Sequence, residues 1–250
     1  MKPDPKRIRF SLSLHNHLVM AHDSSETFVL SLGGSLISVD GKIDDSFLKK
    51  FISLITAQVR QGRKFIIVCG GGWTCREYNR ALSSIAKPNN RELDFLGIEV
   101  TRLNANLVRL AFGNRAHSEI VVDPTAPLRT NKSIIIGAGW KPGRSTDYDA
   151  VLLAKKFHAG TIVNLTNTSF VYNRDPKKYS DARPLREISW KEYRKLVGSK
   201  WVPGSNLPFD PIASKLAHES GLRVIVTNGG RLDNLKKILD GGRFRGTVID

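Results

Sequence analysis

The stretch TFVLSLGGSLI, residues 27–37, decides the fold class of this chain. Five of its first six residues are apolar or β-branched, which predicts a short buried strand. Gly33, Gly34 and Ser35 follow directly, and a segment of helix-like composition begins after them. A strand that ends on paired glycines leaves backbone N–H groups unpaired at its carboxyl end, where they can bind an anion such as a phosphate. The motif alone has low specificity, because GGS turns also occur in loops that bind nothing.

The composition is that of a protein with a full core and a basic surface. The 250 residues are 40% hydrophobic and 25% charged, enough for one large α/β domain or two small lobes. The net charge of +16 favours anionic ligands, such as nucleotides, nucleic acid or acidic lipid, without choosing among them. No apolar run is long enough to cross a membrane, and Cys69 and Cys75 match no disulfide framework or zinc signature. We therefore expect a cytoplasmic protein with no membrane partner and no metal site of its own.

Residues 1–25 form a basic N-terminal extension that differs in character from the rest of the chain. Residues 7–14 alternate polar and apolar side chains like an edge strand. His15, His17 and His22 follow, but no acidic or cysteine partner completes a set of metal ligands. A mobile or edge-pairing extension is the favoured interpretation of this segment.

The remaining chain alternates strand and helix patterns. Further strands are predicted at residues 64–69, 120–122, 133–136, 161–165, 223–226 and 247–249. Helices are predicted from Asp44 or Asp45 to Gly62, after Gly72, at residues 95–112 and 148–157, after Ser189, from Pro211 to Gly221, and at residues 232–239. This alternation predicts an α/β fold with a mostly parallel sheet and helices on both faces.

Four loops of the chain leave the carboxyl ends of predicted strands, where an open parallel sheet binds its ligands. They are residues 33–35, 70–72, 137–147 and 166–175. Two or three glycine turns that converge on one edge can hold two phosphate groups face to face. The fingerprint G-x-G-x-x-G is absent after the first strand, and so is the Walker pattern G-x-x-x-x-G-K-[ST]. These absences argue against an NAD enzyme and against an ordinary P-loop protein.

Six segments, taken in chain order, resemble those of a known family. They are FVLSLGGS, FIIVCGGGWTCR, DFLGIEVTRLNANLV, PGRSTDYDAVLLA, LTNTSFVYNRDPKKY and FDPIASKLAHESG. Together they resemble uridylate kinases of the amino acid kinase superfamily, in the branch first recognised in archaea. The resemblance covers residues 26–250 and implies a three-layer α/β/α sandwich about a mainly parallel sheet. Within it, an acceptor-binding half would span about residues 26–150 and an ATP-binding half about residues 151–250.

The resemblance also implies an activity and an assembly. The activity would be ATP-dependent phosphorylation of UMP to UDP, with Mg²⁺, in pyrimidine nucleotide synthesis. The assembly would be a homo-oligomer, a hexamer built as a trimer of dimers, with the helix at residues 95–112 as a subunit contact. From sequence alone, that helix can equally be a core element.

The resemblance implies a role for each matching residue. On the donor side, Gly33, Gly34 and Ser35 would contact the transferring phosphates through backbone N–H groups, and ATP would be held by Thr166, Asn167, Tyr172 and Asp175. On the acceptor side, Gly71, Gly72 and Arg76 would hold the UMP phosphate, Asp94 would face the nucleoside, and a loop with Gly139, Gly143 and Thr146 would close over it. Asp147 would organise the reacting centre, and Lys215 would neutralise charge on the γ-phosphoryl group. Such a transfer depends on positioning and charge stabilisation and needs no strong general base.

Three residues depart from the family pattern. Ser31 stands where many superfamily members carry a lysine, two residues before the first glycine of the turn. Ser169 and Phe170 replace an acidic residue and a glycine in TNTSFVY, which leaves the shape of the donor loop and the identity of the donor open. Because of these departures and the basic charge, a second class of function remains an alternative: a nucleotide-sensing or nucleic-acid-binding protein on a kinase fold.

The same residues also have simpler interpretations. Asp147 and Asp94 are suited to cap helices, and Lys215 to be a solvated lysine on an amphipathic helix. Arg76 together with Asp94 favours a nucleoside monophosphate over the carboxylate, carbamate or small phosphate that other kinases of the superfamily phosphorylate. We identify no pocket for the ammonium group of an amino acid substrate.

Overall fold

The computed structural model describes residues 26–200 and 207–250. Its strands are β1 (Thr27–Leu32), β2 (Ser38–Val39), β3 (Lys42–Ile43), β4 (Lys64–Cys69), β5 (Ile134–Gly137), β6 (Thr161–Thr166), β7 (Val171–Tyr172), β8 (Pro184–Leu185), β9 (Glu187–Ile188), β10 (Arg223–Asn228) and β11 (Thr247–Ile249). Its α-helices are α1 (Asp45–Val59), α2 (Gly72–Ile85), α3 (Asn90–Phe112), α4 (Thr146–Lys156), α5 (Trp190–Val197), α6 (Pro211–Glu219) and α7 (Leu232–Leu239). The edge strand and the histidines predicted in the N-terminal extension lie outside the described residues.

The main sheet has seven strands in the order β5-β4-β1-β6-β10-β11-β9. The strands from β5 to β10 are parallel, and β11 runs antiparallel to β10. β1, β4 and β6 are each buried at five of their six residues, as expected of strands that are covered on both faces. The predicted sandwich with a mainly parallel sheet is confirmed.

Alternate residues of each strand enter two separate cores, one on each face of the sheet. Phe28, Leu30 and Leu32 of β1 pack into the core that α1, α3 and α7 cover. Val29 packs into the core that α4, α5 and α6 cover. Helix α2 has no buried residue and packs against α3, at the edge of the first layer. None of the helices in the described ranges combines the length and the hydropathy that spanning a membrane requires.

Local side-chain chemistry fixes the N-termini of most of the described α-helices. Asp44 caps α1, Asp210 caps α6 ahead of a proline, and Ser189 with Glu192 forms the predicted capping box of α5. The interpretation of Asp147 as a cap is wrong, because Ser145 accepts the Tyr148 N–H and caps α4.

Helix α3 begins earlier than predicted. A capping box of Asn89 and Glu92 starts it at Asn90, so Asp94 lies inside the helix and does not cap it. The predicted strand at residues 120–122 is also wrong, since in this segment only Val121 bridges to a neighbour, Gly137 of β5. That single bridge does not extend into a ladder.

Candidate active site

The strand order of the main sheet changes direction between β1 and β6. The sheet continues from β1 through β4 to β5 on one side and from β6 through β10 to β11 on the other. A crevice opens beyond the carboxyl ends of the strands at such a point, and ligands of open α/β sheets bind there. The four loops singled out in the sequence follow β1, β4, β5 and β6, so all of them lie at this end of the sheet.

The glycine turns after β1 and β4 touch through their backbones. A Cβ atom built on Gly34 would lie 2.2 Å from the Gly72 nitrogen and 2.5 Å from the Gly70 carbonyl oxygen. A Cβ built on Gly72, whose φ is +67°, would lie 2.2 Å from the Gly34 carbonyl oxygen. The close approach therefore requires glycine at both positions and places the two candidate phosphate-binding turns side by side.

The backbone N–H groups of these turns are used differently. Gly33 donates its N–H to the Leu165 carbonyl at 2.9 Å, so the prediction that this N–H contacts a phosphate is wrong. Within the described ranges, the N–H groups of Gly34, Ser35 and Gly71 donate no hydrogen bond. The turns therefore offer unpaired donors, as an anion site requires.

Helix α2 adds positive charge beside the second turn. It begins at Gly72, so its first N–H groups have no intrahelical acceptor and the positive end of its dipole faces the turn. Arg76 lies one turn into the helix, is exposed, and forms no ion pair within the described part of the chain. A free guanidinium next to unpaired N–H groups is suited to a phosphate group.

Asp94 fixes the loop at residues 139–146, which leads from β5 to α4. Its carboxylate accepts the Gly143 N–H at 2.8 Å. Partial burial raises the pKa of Asp94, and this hydrogen bond acts in the opposite direction. The structure thus brings together two residues that the sequence predicted separately for the acceptor side.

Two further residues of α3, both missed by the sequence analysis, hold the same loop. The Thr101 hydroxyl accepts the Gly139 N–H at 2.8 Å, and the Arg102 guanidinium reaches the Trp140 carbonyl at 3.4 Å. Their spacing could have indicated this role, since residues 94, 98, 101 and 102 share one side of a helix. The last residue of the loop, Thr146, is the first residue of α4.

Asp147 stands where β1, α4 and α6 meet. Its Oδ1 accepts the Ser31 hydroxyl at 2.9 Å, and its Oδ2 accepts the Asp210 N–H at 3.3 Å. Burial, and next the charge of Asp210, raise the pKa of Asp147 to about 7 against the Ser31 hydrogen bond. Asp147, which the resemblance places at the reacting centre, is therefore held in a fixed orientation by these hydrogen bonds. Its pKa lies close to neutral pH.

Asp149 and Asp210 complete an acidic group around Asp147, and the sequence analysis missed both as site residues. Asp149 accepts the Trp140 N–H at 3.1 Å, and burial raises its pKa to about 7. One carboxylate oxygen of each, Oδ1 of Asp149 and Oδ2 of Asp210, is buried without a hydrogen-bond partner. Buried carboxylate oxygens without partners are costly and often mark a site.

The predicted donor residues lie on and after β6. Thr166 accepts the Thr168 N–H at its hydroxyl and the Gly229 N–H at its carbonyl, and the Asn167 carbonyl is 3.5 Å from the Asn228 amide. These contacts fix the loop next to β10, at the same end of the sheet as the glycine turns.

The rest of the donor loop carries the departures from the family pattern. Phe170 is buried, and its ring meets that of Tyr172 edge-on at 6.5 Å. Asp175 begins a turn in which its carboxylate accepts the Lys177 N–H, so it is engaged locally. Ser169 is half-buried. An aromatic pair therefore occupies the segment where a glycine was expected.

Lys215 is not brought into contact with the acidic group. Its ammonium lies 3.8 Å from Glu219, one turn along α6, and its side chain is 61% exposed. An exposed pair of this kind contributes little to stability, so Lys215 is free to change partner. Its predicted role stays a prediction.

The described residues contain no group of three or more His, Cys, Asp or Glu side chains arranged to hold a metal ion. A cavity of about 760 Å³ lies elsewhere, beside the end of α3 and the start of β5. It is lined by Arg109, His117, Arg129 and Lys132 among others. Because it lies at the opposite end of the sheet from the glycine turns, it is not the crevice described above.

Comparison with known proteins gives consistent matches. A sequence model of the amino acid kinase family matches residues 26–228. The uridylate kinase of Thermoplasma acidophilum is 35% identical over 228 residues, which cover 90% of this chain and 97% of that protein. The uridylate kinase of Methanospirillum hungatei is 36% identical over 227 residues, which cover 89% and 94%.

A solved structure supports the same relationship. The crystal structure of uridylate kinase from Archaeoglobus fulgidus aligns with a TM-score of 0.75 and 30% identity, covering 89% of this chain and 99% of that one. All the candidate site residues named above, from Ser31 to Lys215, lie within the residues that the family model matches.

Proposed function

Because this chain belongs to the amino acid kinase family, we propose that it transfers the γ-phosphoryl group of ATP to UMP, giving UDP and ADP in pyrimidine nucleotide synthesis in the cytoplasm. The observation that carries the proposal is the backbone contact between the glycine turns of β1 and β4. It brings two sets of unpaired N–H groups side by side, as two phosphate groups that exchange a phosphoryl group require.

The acceptor would bind on the β4 side of the crevice. Gly71, Gly72 and the start of α2 would hold the UMP phosphate, and Arg76 would bind it with two parallel hydrogen bonds. Asp94 would set the position of the loop at residues 139–146 over the nucleoside, through the hydrogen bond from Gly143.

The donor would bind on the β6 side, as Mg·ATP. Gly34 and Ser35 would contact the transferring phosphates, and the loop with Thr166, Asn167, Tyr172 and Asp175 would hold the rest of the nucleotide. The magnesium ion would arrive on the phosphate oxygens of ATP, since no ready-made metal cluster exists among the described residues.

The reaction needs no strong general base. An oxygen of the UMP phosphate, already anionic, attacks the γ-phosphorus, and the bond to the β-phosphate oxygen breaks so that ADP leaves. Asp147 would orient the centre, and Lys215 would swing from Glu219 to the γ-phosphoryl group to neutralise developing charge.

A homo-oligomer, a hexamer built as a trimer of dimers, is the proposed assembly. Large apolar side chains are exposed on α2 and α3: Tyr78, Ile85, Phe95, Leu103, Leu107 and Leu110. Leu103 and Leu110 are each 65% exposed, whereas Val108 of the same helix is buried in the core. Exposed apolar side chains grouped in this way on a protein surface mark an interaction site. Light scattering should give a hexamer for the wild type and smaller species for Leu103→Asp/Leu110→Asp, whereas a monomeric wild type contradicts the assembly.

A coupled kinase assay tests the activity. Mg·ATP is supplied with UMP, CMP, dTMP, AMP or glutamate in separate reactions. We expect turnover with UMP and its loss in Lys215→Ala, with Lys49→Ala as the matched control, because Lys49 is also an exposed lysine paired with an acid four residues away. Silence with every acceptor would contradict the proposal and favour a nucleotide-sensing or nucleic-acid-binding role, which salt-dependent RNA or DNA binding would then reveal.

A further inference from the structure

Ser31 is a polar residue near the carboxyl end of the central strand β1. It is 4% exposed on β1, with Val68 of β4 and Asn164 of β6 as its register neighbours. Alternation along β1 places its side chain on the face that α4 covers. A buried hydroxyl needs a hydrogen-bond partner, and Ser31 has one in the Asp147 carboxylate at 2.9 Å.

The hydrogen bond from Ser31 is the main restraint on the Asp147 carboxylate. Among the residues that the structure describes, the other oxygen accepts only the backbone N–H of Asp210, at the longer distance of 3.3 Å. Ser31 therefore supplies the one side-chain donor found in the described part of the chain, and it links the first turn of α4 to the central strand. Without its hydroxyl, a single long backbone bond would orient the group.

Among the described residues, the other ionisable groups that face Asp147 do not compensate its charge. Asp210 at the start of α6 and Asp149 on the same helix are acidic. The Tyr193 hydroxyl on α5 donates to the Phe209 carbonyl and is not directed at Asp147. In the described ranges, no cationic side chain forms an ion pair with Asp147.

We propose that Ser31 is a positioning residue for phosphoryl transfer, whose hydroxyl orients the Asp147 carboxylate and adds no charge of its own beside it. The inference rests on the proposed function for its catalytic consequence. A lysine at this position would add a positive charge beside the carboxylate, whereas a hydroxyl donates a hydrogen bond and adds no charge.

The first test compares pH profiles. Removing the hydroxyl in Ser31→Ala takes away a contact that lowers the pKa of Asp147, so burial should raise this pKa further. We expect kcat/KM for UMP, relative to wild type, to be about tenfold lower at pH 6 than at pH 9. The ionisation of UMP cancels in this ratio. Ser31→Thr, which keeps the hydroxyl, should restore the wild-type profile.

The second test needs no activity. The folded-state pKa of Asp147, about 7, lies above the ordinary aspartate value, so the stability that its protonated form contributes is lost as pH rises through 7. In Ser31→Ala the higher pKa of Asp147 should extend this loss of stability to higher pH. The urea midpoint of the variant should therefore fall further below that of the wild type at pH 8 than at pH 5. The control is Thr227→Val, which removes a buried strand hydroxyl that donates to the Arg245 carbonyl and not to a carboxylate. The loss of its urea midpoint relative to wild type should be equal at both pH values.

The outcomes separate the two proposals. If wild type shows no UMP turnover but Ser31→Ala has the larger stability deficit at pH 8, the proposed function fails and the contact with Asp147 stands. If the midpoint deficit of Ser31→Ala is the same at pH 5 and pH 8, like that of Thr227→Val, the inference is overturned. An unchanged kcat/KM ratio between pH 6 and pH 9 in an active enzyme overturns it equally.

Discussion

Replacing Gly34 by alanine tests the contact on which the proposed function depends. The added Cβ would lie 2.2 Å from the Gly72 nitrogen, where an ordinary contact needs about 3.5 Å. The two turns would have to separate by roughly 1.3 Å, because only backbone atoms oppose the new methyl group. Overpacking of this kind costs about 1–3 kcal/mol of folding free energy.

The catalytic effect should exceed the effect on stability. Reacting phosphates displaced by about 1 Å lose alignment, which lowers the rate about 100-fold. Urea unfolding followed by tryptophan fluorescence gives the first quantity, and the coupled assay with UMP gives the second. The control is Gly160→Ala, because a Cβ at Gly160 meets no atom within 4 Å and the residue does not need a positive φ.

The two variants should therefore differ clearly. Gly160→Ala should stay within about 0.5 kcal/mol of wild type in unfolding free energy, with unchanged turnover. If Gly34→Ala matched Gly160→Ala in both urea midpoint and kcat, the turns would not be in contact, and the argument that they align two phosphates would be refuted.

Three further changes test other contacts. Arg76→Lys keeps the charge but loses the two-pronged geometry, so the KM for UMP should rise about tenfold with little change in kcat; an unchanged KM would exclude Arg76 from the phosphate site. Asp94→Ala removes the acceptor of the Gly143 N–H and should raise the KM for UMP severalfold, with partial recovery in Asp94→Asn, which keeps one acceptor oxygen; equal effects of the two would contradict this role. For Asp240, partial burial acts to raise the pKa, but hydrogen bonds led by that from Lys236 leave it below its ordinary value. Its stabilisation is then present at pH 7 and lost as pH falls below about 4, so Asp240→Asn should lower the urea midpoint at pH 7 and much less at pH 3; a deficit of the same size at both would contradict the sign.

Features that depend on neighbouring residues were predictable from the sequence. The strand at residues 64–69 and the helix at residues 232–239 were predicted with the bounds that the structure shows. The caps at Ser189 and Asp210 were predicted because a cap is a contact between residues two or three positions apart. The fold class followed from the alternation of these elements.

Features that depend on distant residues were not predictable in the same way. Residues 120–122 have the composition of a strand, but pairing with β5 stops after Val121. The free N–H expected at Gly33 is taken by Leu165, a residue 132 positions away that comes alongside only through the pairing of β1 with β6. Asp149 and Asp210 were missed as site residues because only the tertiary fold places them beside Asp147.

The contact between the glycine turns also limits how the site can move. No side chain lies between Gly34 and Gly72, so no change of rotamer can absorb a relative shift, and one turn can be displaced only together with the other. The loop at residues 139–146 is held differently, by side chains of α3 such as Asp94, whose hydrogen bonds can break and reform. We therefore expect this loop to move more readily than the turns when the crevice opens or closes. The slow step of a binding cycle that needs such a movement should then respond to substitutions in α3 and not in the turns.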